Sequence, residues 1–536
     1  MTGTRHRGAW LGCCAVLVAL APALAQEPPR VRGVELPRGY FERVRQQPDL
    51  FRLHDGWIDK AAAAESGAAA LEGTLRVAVI LALFSDSPAP HVSAADIQRV
   101  LFDGPSAYGT ASEFYAEASG GRFALEGQTV PWVRTGLTMQ QVVGTEYGLG
   151  SDAMTGTYLA QALALADPSV DFGLFDNDGP DGIPNSGDDD GAVDAVAFEF
   201  LEVAASCGGP AIWPHRSRIA GWLGTPYETG ERQPNGAPIV VNDYIVQSAV
   251  DCGGVQLQTA TTISHEMGHV LGLPDLYDGS LGILPEERRW VVGCWSLMAA
   301  GSWGCGTSDR EIWVRPTHLG AWERTRLGWV DSVAESVAGL GREYTLPPVL
   351  QSGRVLRIPL EHGVPADTNE YLLVEYRTQS GFDLDLPASG VLVYHVDPQI
   401  PGNWPCQGCA QVYRVVLLEA DGNRSLQRTF LEGGNRGEPG DAWGVTGPGY
   451  LTTTSDPSTQ LTFGTPSGVR IDEISIRDGV AHVIVSSSTL ASERLLQPFL
   501  LSPAEPLTSE ERTYLDRVGN GNGQYDVGDL RAYLRR

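Results

Sequence analysis

The chain has 536 residues, 42% of them apolar, with 13 Trp and 64 Gly, a composition that excludes low-complexity disorder. Single hydrophobic cores stop growing near ~250–300 residues, so this length predicts about two to four domains. The formal net charge is −27, with Lys60 the sole lysine. That balance excludes nucleic acid as a partner, because its phosphates would be repelled, and the acidic clusters point to calcium instead.

Arg5, His6 and Arg7 precede an apolar run over residues 9–24, and Ala23-Leu24-Ala25 precedes Gln26. This pattern predicts a secretory signal peptide over residues 1–25, hence a secreted, extracellular protein. No later stretch approaches ~18 uninterrupted apolar residues, so no transmembrane anchor is expected after signal removal. Of the 8 cysteines, Cys13 and Cys14 leave with the signal. Proximity then pairs Cys207 with Cys252, Cys294 with Cys305 and Cys406 with Cys409, as expected in an oxidising compartment.

Residues 26–73 are a candidate pro-segment, with a helix around residues 41–47; a flexible spacer is the plainer alternative. The catalytic domain is expected over residues 74–330. It opens on residues 74–84 (TLRVAVILALF), a continuous apolar run that reads as a central strand buried on both faces. Residues 111–118 read as a helix, residues 122–133 as a hairpin of two strands, and residues 155–166 as a second helix.

Residues 175–194 (FDNDGPDGIPNSGDDDGAVD) concentrate carboxylates that would repel one another if bare. Asp176, Asp178, Asp181, Asp188, Asp190 and Asp194 are the candidate ligands of one or two calcium ions, with Asp189 among them in the loop. The spacing is not that of an EF-hand, and a solvated acidic loop is the alternative. Residues 192–203 read as another buried strand. His215, in Ile-Trp-Pro-His, reads as a structural hydrogen-bonding residue and not a catalytic one.

The stretch TTISHEMGHVLGLPDLYD, residues 261–278, carries the chemistry. If residues 261–271 are helical, His265 and His269 lie one turn apart and project toward a common point. Two neutral imidazoles so placed suit zinc, and Glu266 is positioned to take a proton from water activated by the metal. Gly272 and Pro274 end the helix. The chain then swings away, and the turn can bring Asp275 back as a third ligand, leaving a fourth position open for water and substrate. An exposed helix with two histidines is the rival reading, but Ile263, Met267, Val270 and Leu271 make the segment too apolar for it. Downstream, residues 293–303 (GCWSLMAAGSW) are similar to the methionine-containing turn beneath the zinc of metzincins, which would place Met298 under the histidines.

Beyond residue 330, short alternating segments between Gly, Pro and Asp predict strands at residues 343–346, 355–359, 371–377, 391–396, 413–418, 469–476 and 481–486. These suggest an all-β, sandwich-like accessory domain over residues 331–490. A linker over residues 491–507 leads to a dockerin- or EF-hand-like tail, residues 508–536. There Asn520, Asn522, Gly523 and Asp529 fall at loop positions three, five, six and twelve, although Val518 stands at position one. The tail is a candidate docking module for a partner.

Several pieces together resemble the immune inhibitor A family of secreted bacterial zinc metallopeptidases, in the metzincin clan. They are HEMGHVLGLPDLYD, GCWSLMAAGSW, PTHLGAWERTRLGW (residues 316–329), NEYLLVEYRTQSGFDLDLP (residues 369–387), GVLVYHVD (residues 390–397) and EFYAEASGGRFALEG (residues 113–127). The resemblance implies an α+β metzincin-like catalytic domain with a central sheet and an active-site helix. It also implies zinc on His265, His269 and Asp275, Glu266 as general base and acid, Met298 in the turn, structural calcium and an amino-terminal pro-segment. The expected activity is that of a zinc endopeptidase acting on proteins or peptides. Two alternatives remain at this stage: a calcium-dependent surface or adhesion protein with a vestigial zinc motif, and a metal-dependent hydrolase of non-protein amides or esters.

Overall fold

A computed structural model describes residues 46, 56–65, 69–280, 287–305, 315–334, 339–360, 369–403, 411–445, 449–487, 490–500 and 503–535. The signal peptide, most of the expected helix at residues 41–47, and Cys406 and Cys409 lie outside these residues.

The strand expected at residues 74–84 is β1, Gly73–Leu83, and every residue from Val77 onward is buried. Its side chains alternate between two apolar clusters, with Leu75, Val77, Val79 and Leu81 on one face and Ala78, Ile80 and Ala82 on the other. Each large aliphatic side chain so buried contributes about 1.5–3 kcal/mol. The next strands are β2 (Phe123–Arg134), β3 (Val196–Phe200), β4 (His215–Arg218), β5 (Tyr227–Arg232), β6 (Pro238–Val241) and β7 (Asp243–Ser248). They form a mixed sheet of order β2-β1-β3-β7-β4, in which only β4 runs antiparallel to its neighbour. β5 and β6 make a separate hairpin.

Residues 122–133 are therefore not two strands of a hairpin but the single strand β2, parallel to β1 along its length. The glycine within it, Gly127, is not a turn residue. It is bare because the Phe102 ring lies over it, where an added Cβ would sit 2.2 Å from the ring.

Helix α1 is Gly56–Glu65, α2 is Ala111–Ser119, α3 is Thr155–Ala166, α4 is Ala260–Val270 and α5 is Ala321–Arg326. A capping box between Thr110 and Glu113 starts α2, and Gly120, at φ 64°, ends it. α3 covers the Ile80 face of the sheet through Tyr158, Leu159, Ala162 and Leu163. α2 and α4 share the opposite face, where Phe114 and Tyr115 meet Ile263 and Met267. α1 belongs to that layer as well: Trp57 is 2% exposed and packs edge-on against Phe123.

The remaining strands are β8 (Asp331–Ala334), β9 (Arg342–Leu346), β10 (Arg354–Pro359), β11 (Tyr371–Arg377), β12 (Gly390–Val396), β13 (Val415–Leu417), β14 (Arg470–Arg477) and β15 (Val480–Ser486). All seven strands expected here are present, β13 shorter than predicted, and β8 was not anticipated. They form one sheet of order β13-β12-β11-β10-β8 and another of order β14-β15-β9. Leu372, Val374, Val391 and Val393 of the first share a cluster with Ile471, Ile474, Val483 and Val485 of the second. The alternate residues Leu373, Leu392, Tyr394 and Val415 join the cluster that contains α2 and α4. The larger sheet is thus a middle layer, and apolar packing runs unbroken across the expected boundary at residue 330.

The expected linker is in part a helix, α6 (Ser492–Leu500), because Leu495 buries against the tail. The tail is a pair of helices, α7 (Ser509–Val518) and α8 (Val527–Leu534). Tyr514, Leu515 and Leu530 pack against Ile484, and Arg470 Nη2 donates to the hydroxyls of Tyr514 and Tyr533. In the first turn of α8, Asp529 accepts from the amides of Asn520 and Asp526, so its carboxylate is spent on capping. The expected disulfides Cys207–Cys252 and Cys294–Cys305 are both present. Among the described residues no helix is long and apolar enough to cross a membrane.

Candidate metal centre

α4 carries His265, Glu266 and His269, all at most 2% exposed. Gly272, at φ 76°, turns the chain out of the helix, with its own amide bonded to the His269 carbonyl. The two imidazoles lie one turn apart, their ring centres 4.9 Å apart and their planes at 89°. Each Nδ1 faces a backbone carbonyl, that of Leu297 at 3.0 Å for His265 and that of Leu273 at 2.7 Å for His269. A carbonyl only accepts, so Nδ1 carries a hydrogen in both rings, and Nε2 is the nitrogen that offers a lone pair whenever the ring is neutral.

Those Nε2 atoms make no hydrogen bond, and both face Oδ1 of Asp275, at 3.3 Å from His265 and 3.5 Å from His269. Oxygen and nitrogen ligands about 2.0–2.1 Å from a tetrahedral zinc stand about 3.3–3.4 Å apart. The three atoms are therefore spaced as ligands of one ion. The other carboxylate oxygen of Asp275 accepts from the Tyr277 hydroxyl at 3.0 Å, and the Arg288 guanidinium lies 3.8 Å over the Tyr277 ring. Tyr277 and Arg288 were missed in the sequence. The Tyr two residues beyond Asp275 was the only signal for either.

The electrostatics reflect the same crowding. Burial pulls His265 down, but the carboxylates of Asp275 and Glu266 push it up further, to about 9. For His269 burial dominates and holds it at about 4. Burial raises Asp275, but His269, His265 and Arg288 overcome it and leave its carboxyl below the ordinary range.

Met298 lies beneath α4, fully buried, where a Cβ on Gly268 would come within 2.5 Å of its sulfur. The Leu276 amide donates to the Met298 carbonyl at 2.8 Å, which ties this turn to the loop that carries Asp275. The middle sheet holds the same loop from the other side. Asn403 Nδ2 bonds both the Leu276 and Val415 carbonyls, and the Tyr413 hydroxyl donates to Asp278 at 2.8 Å. Neither Asn403 nor Tyr413 carried any signal in the sequence, because their roles exist only once β13 packs beside the loop.

The acidic loop converges in part. Asp176, Asp178 and Asp189 bring oxygens within 4.8 Å of one another. Asp176 is 1% exposed, with both oxygens unbonded, and burial together with Asp194 and Asp189 pushes its carboxyl up to about 8. Asp189 was not among the six expected ligands. Of those six, Asp181, Asp188 and Asp190 each spend an oxygen on loop amides, and Asp194 accepts from the Asn177 amide. His215 is structural, as expected. It bridges the Trp213 carbonyl and the Tyr244 hydroxyl, fully buried, and burial holds it at about 4.

Residues 96–330 match the model of the immune inhibitor A peptidase M6 catalytic domain. The matched span contains α4, Asp275 and Met298, while β1, central to the sheet, lies wholly before it. The pre-pro-metalloprotease PrtV of Vibrio cholerae is 26% identical over 228 residues, 40% of this chain and 23% of that protein. Immune inhibitor A of Bacillus thuringiensis is 29% identical over 214 residues, 36% of this chain and 28% of that protein. The matched stretch thus spans about a quarter of these relatives' length.

A methyl group at Gly268 must displace Met298. Overpacking of this kind costs about 1–3 kcal/mol, more than the 0.5–1 kcal/mol that alanine gains over glycine within a helix. Gly268→Ala is therefore expected to lower the melting temperature, and Met298→Ala in the same chain to relieve part of the loss. Circular dichroism melts of the two single variants and the double variant measure this, and additive losses would contradict the contact.

Proposed function

We propose that the chain is a secreted zinc-dependent endopeptidase, with zinc held by His265, His269 and Asp275 and with Glu266 as general base and acid. The observation that carries this reading is the 3.3 and 3.5 Å convergence of two lone-pair nitrogens on one buried carboxylate oxygen. Zinc held there would supply Lewis-acid polarisation of a peptide carbonyl and make water more acidic. Glu266, next to His265 on the same helix, takes the proton of the attacking water and returns it to the leaving amine. Tyr277 and the Leu273 and Leu297 carbonyls fix the orientation of the three ligands, as partners behind a metal site do. The metalloprotease named among the relatives and the matched catalytic domain support this reading.

Met298 and the Leu297 carbonyl are read as the metzincin-type floor of the site, and the two facing sheets beyond residue 330 as a sandwich-like accessory unit. That unit braces the Asp275 loop through Asn403 and Tyr413. The buried Trp57, Ala61 and Leu71 belong to the catalytic core, so a removable leader fits best upstream of Gly56. Calcium at Asp176, Asp178 and Asp189 would offset the repulsion that raises Asp176.

Glu266→Gln is expected to retain zinc, measured by elemental analysis, while hydrolysis of a quenched peptide falls at least about a hundredfold. Full activity in a folded Glu266→Gln chain would sink the mechanism.

Asp176 gives a pH test of the calcium reading. In chelator, the unfolded chain ionises this carboxyl near 4, while the folded chain keeps the proton to about 8. The folded state binds the extra proton in that window, so stability falls as pH rises from about 4 to about 8. The melting temperature of the chelated wild type should drop across this range relative to Asp176→Asn, and saturating calcium should abolish the difference. Parallel curves in chelator would contradict the reading.

A further inference from the structure

A second acidic cluster lies far from the first in sequence, where the chain leaves β13. Oxygens of Glu419, Asp421 and Asp441 lie within 4.8 Å of one another. Glu419 is 2% exposed and Asp441 is fully buried, whereas Asp421 stands at the surface. The two segments are zipped by backbone bonds, Ala420 N to Asp441 O at 3.0 Å and Asp421 N to Gly440 O at 3.1 Å. The Asp421 carboxylate closes over Gly440, where a Cβ would come within 2.2 Å of its Oδ2.

The hydrogen bonds leave one atom over. Glu419 Oε2 accepts from the Ser425 amide and hydroxyl, and its Oε1 from the Leu426 amide. Asp421 accepts from the Asn423 amide and side chain. Asp441 Oδ2 accepts from Trp295 Nε1 and the Glu438 amide, both at 2.9 Å, but its Oδ1, buried in the cluster, has no partner. A buried carboxylate oxygen facing nothing has lost its water without a replacement, and two neighbouring carboxylates add repulsion to that loss. Burial and then Glu419 push the Asp441 carboxyl well up, and burial raises Glu419 to about 7.

We infer that Glu419, Asp421 and Asp441 hold a structural calcium ion, with the unbonded Asp441 Oδ1 as a ligand and the open side at Asp421 completed by water. The donor set is all oxygen and triply carboxylate, which suits a hard cation and not zinc or copper. The same Asp441 carboxylate grips the Trp295 indole, three residues before Met298 and two before Leu297, whose carbonyl orients His265. The ion therefore fixes the segment beneath the histidines through the Trp295 indole.

The full chain, stripped with chelator, is titrated with Ca²⁺ by calorimetry and compared with three variants. Asp421→Ala alters an exposed side chain and leaves the core intact. It is expected to bind one calcium fewer per chain than wild type and to gain less melting temperature on calcium addition. Asp441→Asn should lose the same ion, and Asp178→Ala a different one, so that Asp178→Ala with Asp421→Ala loses both. Unchanged calcium stoichiometry in folded Asp421→Ala overturns the site, as does a wild type that takes up no calcium. A cluster that merely shares a proton gives that same unchanged result.

Discussion

The structure depends on holding three buried, mutually facing polar atoms still. His265 Nε2 and His269 Nε2 each lie within 3.5 Å of Asp275 Oδ1, and all three within 4.8 Å of one another, with no hydrogen bond among them. Buried polar groups left so are expensive unless something shares them. α4 supplies two of the atoms in one rigid piece, because helical geometry fixes their separation. The third comes from a loop, and a loop holds position only through its contacts. That asymmetry explains why so much of the chain beyond α4 is directed at residues 273–278.

Those contacts come from three directions. The methionine turn bonds Leu276 and orients His265, the Tyr277 hydroxyl holds Asp275, and the middle sheet reaches in through Asn403 and Tyr413. The turn is itself anchored in a buried charge network. Ser296 donates to Glu323, Arg377 bonds the Trp295 carbonyl as well as Asp383 and Glu375, and Arg324 pairs with Glu375. A buried ion pair is weak evidence for net stability, since desolvation offsets attraction, but removal of one partner strands the other. Such a network discriminates between arrangements more than it adds to total stability. Here it ties β11 to α5 and to the methionine turn.

That tie also changes the meaning of the accessory strands. Leu373, Leu392 and Tyr394 share an apolar cluster with Ile263 and Met267 of α4. Cut at residue 330, the chain would expose the apolar face of the layer that carries α4. The tail is likewise spoken for on its apolar side, through Tyr514 and Leu530 against Ile484.

Where local pattern settles the outcome, the sequence by itself was sufficient. The apolar run of β1, the one-turn spacing of His265 and His269, the stop at Gly272 and the period-two strands beyond residue 330 all depend on neighbours within a few positions. The spacing rule that separates HExxH from a chance pair of histidines is of the same kind. The tertiary structure decided what depends on distant partners. It made residues 123–134 one strand because β1 pairs with them in parallel along their length, and turned the linker into a helix because Leu495 finds a buried seat. It gathered Asp189 in place of Asp181 and Asp188, and set Asn403 and Tyr413 behind the Asp275 loop. In each case the deciding contact joins residues that no local periodicity relates, so only the packed chain could reveal it.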